Sequence, residues 1–216
     1  MKLGVFDSGI GGEAVAAALQ ETFPEATIIT VNDRANVPYG DKTPDEVIRL
    51  TDAAIQPLLE KQCDVIVIAC NTATTAAIST LRERYPNQKF IGIEPMIKPA
   101  AEHTATETIA VCATPATLAS DRYRDLLARY GKHLRVIEPD CSEWAYLIEN
   151  NQLNHERIKA VIEPVIQEGA DVIVLGCTHY HWIKDDIIAL AQGRAEILEP
   201  SEAIGRRVSS LLHPMD

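Results

Sequence analysis

Two cysteines stand at matching ends of two matching segments. Asp64–Thr72 reads D-V-I-V-I-A-C-N-T and Asp171–His179 reads D-V-I-V-L-G-C-T-H, which sets Cys70 and Cys177 107 residues apart. Each apolar, β-branched run suits a strand buried on both faces. The thiol and its polar neighbours then fall at the strand's carboxyl end, where open α/β sheets place ligands. A helix beginning just after such a cysteine lowers the pKa of the thiol and makes it a usable base or nucleophile. A free cysteine standing alone is ordinarily a packed core residue, and that is the reading for Cys63, Cys112 and Cys141. The duplicated pair calls for more. Cys177, His179 and His181 do not follow a standard zinc spacing. A dithiol redox pair would instead show itself as a Cys70–Cys177 disulfide.

Other polar motifs fall at equivalent strand ends. Asp7-Ser8-Gly9-Ile10-Gly11-Gly12 lies between a strand and a helix. Its glycines let the backbone come close to a ligand, and a helix N-terminus favours an anion. It is not a P-loop and fits the dinucleotide fingerprint poorly. Its counterpart is Ala113-Thr114-Pro115-Ala116-Thr117, so Ser8 and Thr114 put a hydroxyl in both halves. Val37-Pro38-Tyr39-Gly40 sits in a polar loop after the second strand, on the ligand side of the sheet or simply as a turn. Glu149 lies on a predicted helix, where a solvated face is the default.

The elements that must position these residues repeat as a set. Strands are expected at Leu3–Phe6, Thr27–Val31, Val65–Ala69 and Phe90–Ile93, and again at Thr108–Cys112, Leu134–Ile137, Val172–Gly176 and Ala195–Leu198. Helices lie between them. One runs from Thr43, an N-cap with Glu46 completing a capping box, through Leu58, with Pro57 kinking it. Another spans Thr117–Tyr130, and the last is Glu202–Leu212. Alternating strands and helices imply parallel sheets. The fold class is therefore α/β, with two pseudo-symmetric, doubly wound parallel-sheet domains. Residues 1–94 with 200–216, the latter a returning C-terminal helix, make the first domain. Residues 95–199 make the second.

A formal charge of −11 argues against nucleic acid and anionic membrane surfaces as partners. Any anion site must be built locally from N–H groups and hydroxyls. No apolar run approaches the roughly 20 residues of a membrane span, and the chain enters a strand too early for a signal peptide. Five cysteines without a secretory pattern point to free thiols in a reducing cytoplasm.

Taken together, D-S-G-I-G-G, V-P-Y-G, A-C-N-T-A-T and G-C-T-H-Y, in this order over nearly the whole chain, resemble the cofactor-independent glutamate racemases. The resemblance implies an active site between the two domains and interconversion of L- and D-glutamate, supplying D-glutamate for peptidoglycan. It implies that Cys70 and Cys177 transfer protons, Asp7 assisting Cys70, and Glu149 and His179 assisting Cys177. By the same resemblance Asp7, Ser8, Tyr39, Gly40, Asn71, Thr72, Thr114, Thr117, Thr178 and His179 hold the substrate. No Lys lies in any motif to form a Schiff base, so pyridoxal phosphate is not indicated, and neither cofactor nor metal is expected. Glutamate is the expected partner, with a homodimer allowed for. Departures are Met96 where the family usually has Gly, His181 where it usually has Pro, and a shorter second half. Alternatives are an aspartate or other amino-acid racemase of the same family, or a glutamate-binding relative without catalysis.

Overall fold

The computed structural model describes residues 1–212. In chain order it runs β1 (Lys2–Asp7), α1 (Gly11–Thr22), β2 (Thr27–Asn32), α2 (Pro44–Ala54), α3 (Gln56–Glu60), β3 (Val65–Ile68), α4 (Asn71–Arg84) and β4 (Lys89–Gly92). There follow α5 (Ile97–His103), β5 (Thr108–Ala113), α6 (Pro115–Leu118), α7 (Asp121–Tyr130), β6 (Arg135–Ile137), α8 (Trp144–Glu149), α9 (His155–Gln167), β7 (Val172–Gly176), α10 (Lys184–Ala191) and β8 (Glu196–Leu198). Helix α11 (Ser201–Leu212) closes the described chain. Two compact units result: residues 1–94 with α11, and residues 95–199.

Each unit holds one four-stranded sheet, ordered β2-β1-β3-β4 in the first and β6-β5-β7-β8 in the second. All pairings are parallel. The register repeats as well, Leu3 facing Val65 in one sheet and Ile109 facing Val172 in the other. In such a sheet the chain winds outward in both directions from the central pair. The carboxyl ends of β1 and β3, and of β5 and β7, therefore form the switch points where ligands bind.

The repeated motif shows why its strands are apolar throughout. In β3, Ile66 and Ile68 pack with Val47, Leu58, Ala77 and Leu81 on one face. Val65 and Val67 pack with Val15, Leu19, Ile204 and Val208 on the other. In β7, Ile173 and Leu175 face one cluster while Val172 and Val174 face a second. With both faces covered, the period-two alternation leaves no polar side. The aspartate that opens each motif is structural. Asp64 accepts the Lys2 N–H at 2.7 Å, and Asp171 accepts those of Ala105 (2.7 Å) and Thr106 (2.9 Å).

The helix expected from Thr43 through Leu58 is two helices. Thr43 caps α2, and Glu46 completes the capping box. The chain turns at Ile55, and Pro57 stands in the first turn of α3 rather than kinking a continuous helix. A proline there loses no intrahelical bond. Its counterpart Pro164 lies inside α9. The helix expected over Thr117–Tyr130 also divides, because Ser120 accepts the Tyr123 N–H at 3.2 Å and starts α7. Helix α5, for which the periodicity predicted nothing, is only seven residues long and buries Ile97 and Ala100.

Candidate functional site

Polar burial is concentrated where the chemistry was expected. Among the described residues, the buried polar and charged side chains are Asp7, Ser8, Asn71, Thr72, Thr114, Thr117, Thr178 and His179, together with Thr51, Thr74 and Thr108. Only the last three fall outside the predicted site. Buried polar groups are costly unless they find partners, so such a concentration marks a built site. The eight divide between the two units, and each half is built at its own switch point.

In the first unit, Asp7 ends β1, and its Oδ2 accepts the Gly9 N–H at 2.8 Å. This ties the D-S-G turn to the carboxylate it follows. Gly12 is required here because a Cβ on it would stand 2.6 Å from Cβ of Asp7 and 3.2 Å from Oδ1 of Asn32. Helix α1 can approach Asp7 only without that atom. Cys70 is buried and is itself the N-cap of α4. Its sulfur accepts the Ala73 N–H at 3.4 Å and the Ser8 hydroxyl at 3.3 Å. Both donors and the helix N-terminus favour negative charge on that sulfur. Asn71 and Thr72 follow in the first turn, both buried. Neither the nitrogen nor the oxygen of the Asn71 carboxamide has a partner among the described residues. A buried amide in that condition is available to a polar ligand. Tyr39 is buried against Phe6, with its hydroxyl on Asp33 at 2.7 Å, and Gly40 continues the same turn.

The second unit handles its thiol differently. Cys177 follows β7 and is only partly buried. A 3₁₀ segment, Thr178–Ile183, follows in place of a full α-helix, and among the described residues the Cys177 side chain makes no cap bond to it. The thiol instead has a side-chain partner, with Sγ 3.7 Å from Nδ1 of His179. Nε2 of His179 lies 2.8 Å from Oε1 of Glu149, the last residue of α8, and the two side chains are 4% and 8% exposed. Glu149 is therefore not on a solvated helix face. Thr114 caps α6 and donates to the Thr117 hydroxyl at 3.0 Å. The two hydroxyls that match in sequence thus differ in use, since Ser8 addresses the thiol and Thr114 its own helix.

The remaining cysteines are core residues. Cys63, Cys112 and Cys141 are buried. A hydrogen bond with Cys112, followed by burial, raises the Cys141 thiol far above its usual range. Among the described residues, no group of three or more His, Cys, Asp and Glu side chains could hold a metal ion.

Residues 12–204 match the model of the Asp/Glu/Hydantoin racemase family. The chain belongs to that family. It is 39% identical over 218 residues to the glutamate racemase of Sulfurovum sp. (strain NBC37-1), covering 98% of this chain and 82% of that protein. Among solved structures it is similar to Escherichia coli glutamate racemase in complex with L-glutamate and the activator UDP-MurNAc-Ala. That likeness has a TM-score of 0.90 at 28% identity and covers 98% of this chain and 82% of that one. It is also similar to the Francisella tularensis glutamate racemase in complex with D-glutamate, with a TM-score of 0.80 at 27% identity, covering 98% and 80%. The two-sheet α/β architecture is that of these racemases.

Two residues next to the site escaped the reading of the sequence. Asn32 ends β2 beside Asp7, and its Oδ1 is buried without a partner among the described residues. Asp33 holds Tyr39. Both precede V-P-Y-G in a polar loop, where only their spacing from Tyr39 could have singled them out.

Proposed function

We propose that this chain is a glutamate racemase that interconverts L- and D-glutamate by proton transfer at Cα through Cys70 and Cys177. The observation that carries the proposal is the pair of switch-point thiols, each set among its own proton-handling groups. Racemisation needs a base on one face of Cα and an acid on the other. One cysteine, as thiolate, takes the α-proton while the other, as thiol, returns one from the opposite side, and the roles exchange with direction. Asp7 and Ser8 serve Cys70. His179, held by Glu149, serves Cys177 as general acid and base. Asn71, Thr72, Thr114, Thr117, Thr178, Tyr39 and Gly40 hold the substrate, whose carboxylates meet hydroxyl, amide and backbone donors. Those donors stabilise the charge that develops as the α-proton leaves.

The product D-glutamate serves peptidoglycan synthesis in the cytoplasm, and the working assembly in this reading is a homodimer. No described helix is long and apolar enough to cross a membrane.

Racemisation in D₂O tests the reading. Circular dichroism follows turnover of L-glutamate and, in parallel, L-aspartate, and only glutamate is expected to react efficiently. Early in the reaction the product enantiomer carries deuterium at Cα, while remaining substrate stays mostly protiated, because return uses the thiol that has just taken the proton. Equal early labelling of both enantiomers would refute the two-thiol assignment, and preference for aspartate would refute the substrate.

A further inference from the structure

The loop after β2 carries Tyr39 and Gly40 to the Cys70 half-site, and Asp33 is the residue that ties it down. The Asp33 N–H donates to the carbonyl of Asp7 at 3.0 Å, fastening the start of the loop to the end of β1. The Asp33 carbonyl accepts the Asn36 N–H at 3.0 Å. The Asp33 carboxylate accepts Nδ2 of Asn36, at 2.9 Å and 3.0 Å to its two oxygens, and the hydroxyl of Tyr39 at 2.7 Å. Thus one residue links the strand end bearing Asp7 through its backbone N–H, and the intervening turn and the buried phenol through its carboxylate.

The direction of the last bond matters. A carboxylate can only accept, and a phenol has one proton to give. With that proton committed to Asp33 and the buried Thr51 hydroxyl beside the same oxygen, Tyr39 has one lone pair left for a ligand and no donor. Burial, reinforced by the bond to Asp33, holds the hydroxyl well above the ordinary phenol range, so Tyr39 stays protonated and the direction is kept. Tyr39 is 2% exposed, its ring centroid is 6.3 Å from that of Phe6, and it shares one buried cluster with Phe6, Cys70 and Ala73. Tyr39 therefore belongs to the Cys70 half-site. A substrate carboxylate has no use for an acceptor. A substrate ammonium group does.

We propose that Asp33 is a positioning residue of the Cys70 half-site, turning the Tyr39 hydroxyl so that it presents an acceptor to the ammonium group of an amino-acid substrate. This rests on the reading of the chain as an amino-acid racemase and adds to it the residue that sets the polarity of Tyr39.

The test is the steady-state racemisation of L-glutamate by the full chain and by Asp33→Asn, Tyr39→Phe and the double variant. Asparagine keeps the shape, but its NH₂ group can donate to Tyr39 and release the phenolic proton. Asp33→Asn and Tyr39→Phe are each expected to raise KM about tenfold, the scale of one hydrogen bond to a charged group, with kcat little changed. The double variant is expected to be no worse than Tyr39→Phe, because Asp33 acts through that hydroxyl. Losses that multiply in the double variant, an unchanged KM, or a fall in kcat alone would overturn the proposal. Tyr39→Phe removes only a hydroxyl and still decides the ammonium contact if Asp33→Asn folds poorly. An inactive parent chain would defeat the racemase reading itself, a result distinct from an active parent indifferent to Asp33.

Discussion

Replacing Glu149 by Gln keeps the length and planarity of the side chain and removes its charge. As a carboxylate, Glu149 can only accept from His179 Nε2 across their 2.8 Å contact. The imidazole proton therefore sits on Nε2, and Nδ1 turns a lone pair toward Cys177 Sγ at 3.7 Å. Taking the thiol proton makes an imidazolium, which the buried carboxylate stabilises. A hydrogen bond to a charged partner is worth about 1.5–3 kcal/mol, against about 0.5–1.5 kcal/mol for a neutral one. The difference, about 1–2 kcal/mol, corresponds to a fall of about five- to thirtyfold in rate. If the glutamine amide turns its NH₂ toward Nε2, the proton moves to Nδ1, His179 can no longer accept from Cys177, and the loss is greater. Free L- and D-glutamate have equal energies, so kcat/KM must fall equally in both directions, which checks the measurement. The assay is circular dichroism started from each enantiomer, with alkylation of Cys177 by iodoacetamide followed against pH. A Glu149→Gln enzyme with unchanged kcat/KM and an unchanged alkylation profile would refute the His179–Glu149 relay.

Cys70→Ala and Cys177→Ala are each expected to abolish racemisation while leaving the far-ultraviolet dichroism unchanged, and substantial activity in either would remove that residue from the mechanism. Gly12→Ala is expected to cost about 1–3 kcal/mol in urea unfolding, an overpacking penalty, because the new Cβ would stand 2.6 Å from that of Asp7; activity should fall further as Asp7 is displaced. Asp171 loses some acidity to burial, but bonds from Thr104, Ala105 and Thr106 outweigh this and hold its carboxyl below the ordinary range. A depressed folded pKa adds stability above the unfolded value of about 3.9 and gives it up as pH falls through the folded value. Asp171→Asn should thus be less stable than the parent near neutrality by about 1–3 kcal/mol, and urea midpoints should show the gap closing below about pH 4; a gap independent of pH would contradict the assignment.

What could be read from the sequence and what could not divide along a physical line. Buried strands announce themselves through composition, because both faces are covered, and the eight strands lie where the apolar runs put them, within a residue or two at each end. Duplication was legible for the same reason: a repeated core preserves spacing even where side chains drift. Helix boundaries depended on local breaks in an apparent continuation, a capping hydroxyl at Ser120 and an uncapped turn before Pro57. Ser120 and the turn at Ile55 therefore divided helices that periodicity alone ran together.

The candidate site residues stood in recognisable motifs, yet the two halves use similar letters differently. At Cys70 the thiol is an N-cap and collects a backbone N–H and the Ser8 hydroxyl. At Cys177 a 3₁₀ turn replaces the helix, and a histidine held by a glutamate from a separate helix stands beside the thiol. A spacing of 28 residues between Cys177 and Glu149 carries no local signal, so only the fold of α8 against the turn after β7 could bring that carboxylate to His179. Asp33 was hidden for the opposite reason. It lies close to Tyr39 in sequence but in a loop whose polar residues have no period, and its contact with Tyr39 appears only in the fold, where its carboxylate accepts from the phenol. The duplication supplied two equivalent positions for a thiol, and the neighbours have diverged, which in the proposed two-thiol reaction gives each thiol its own means of holding or releasing a proton.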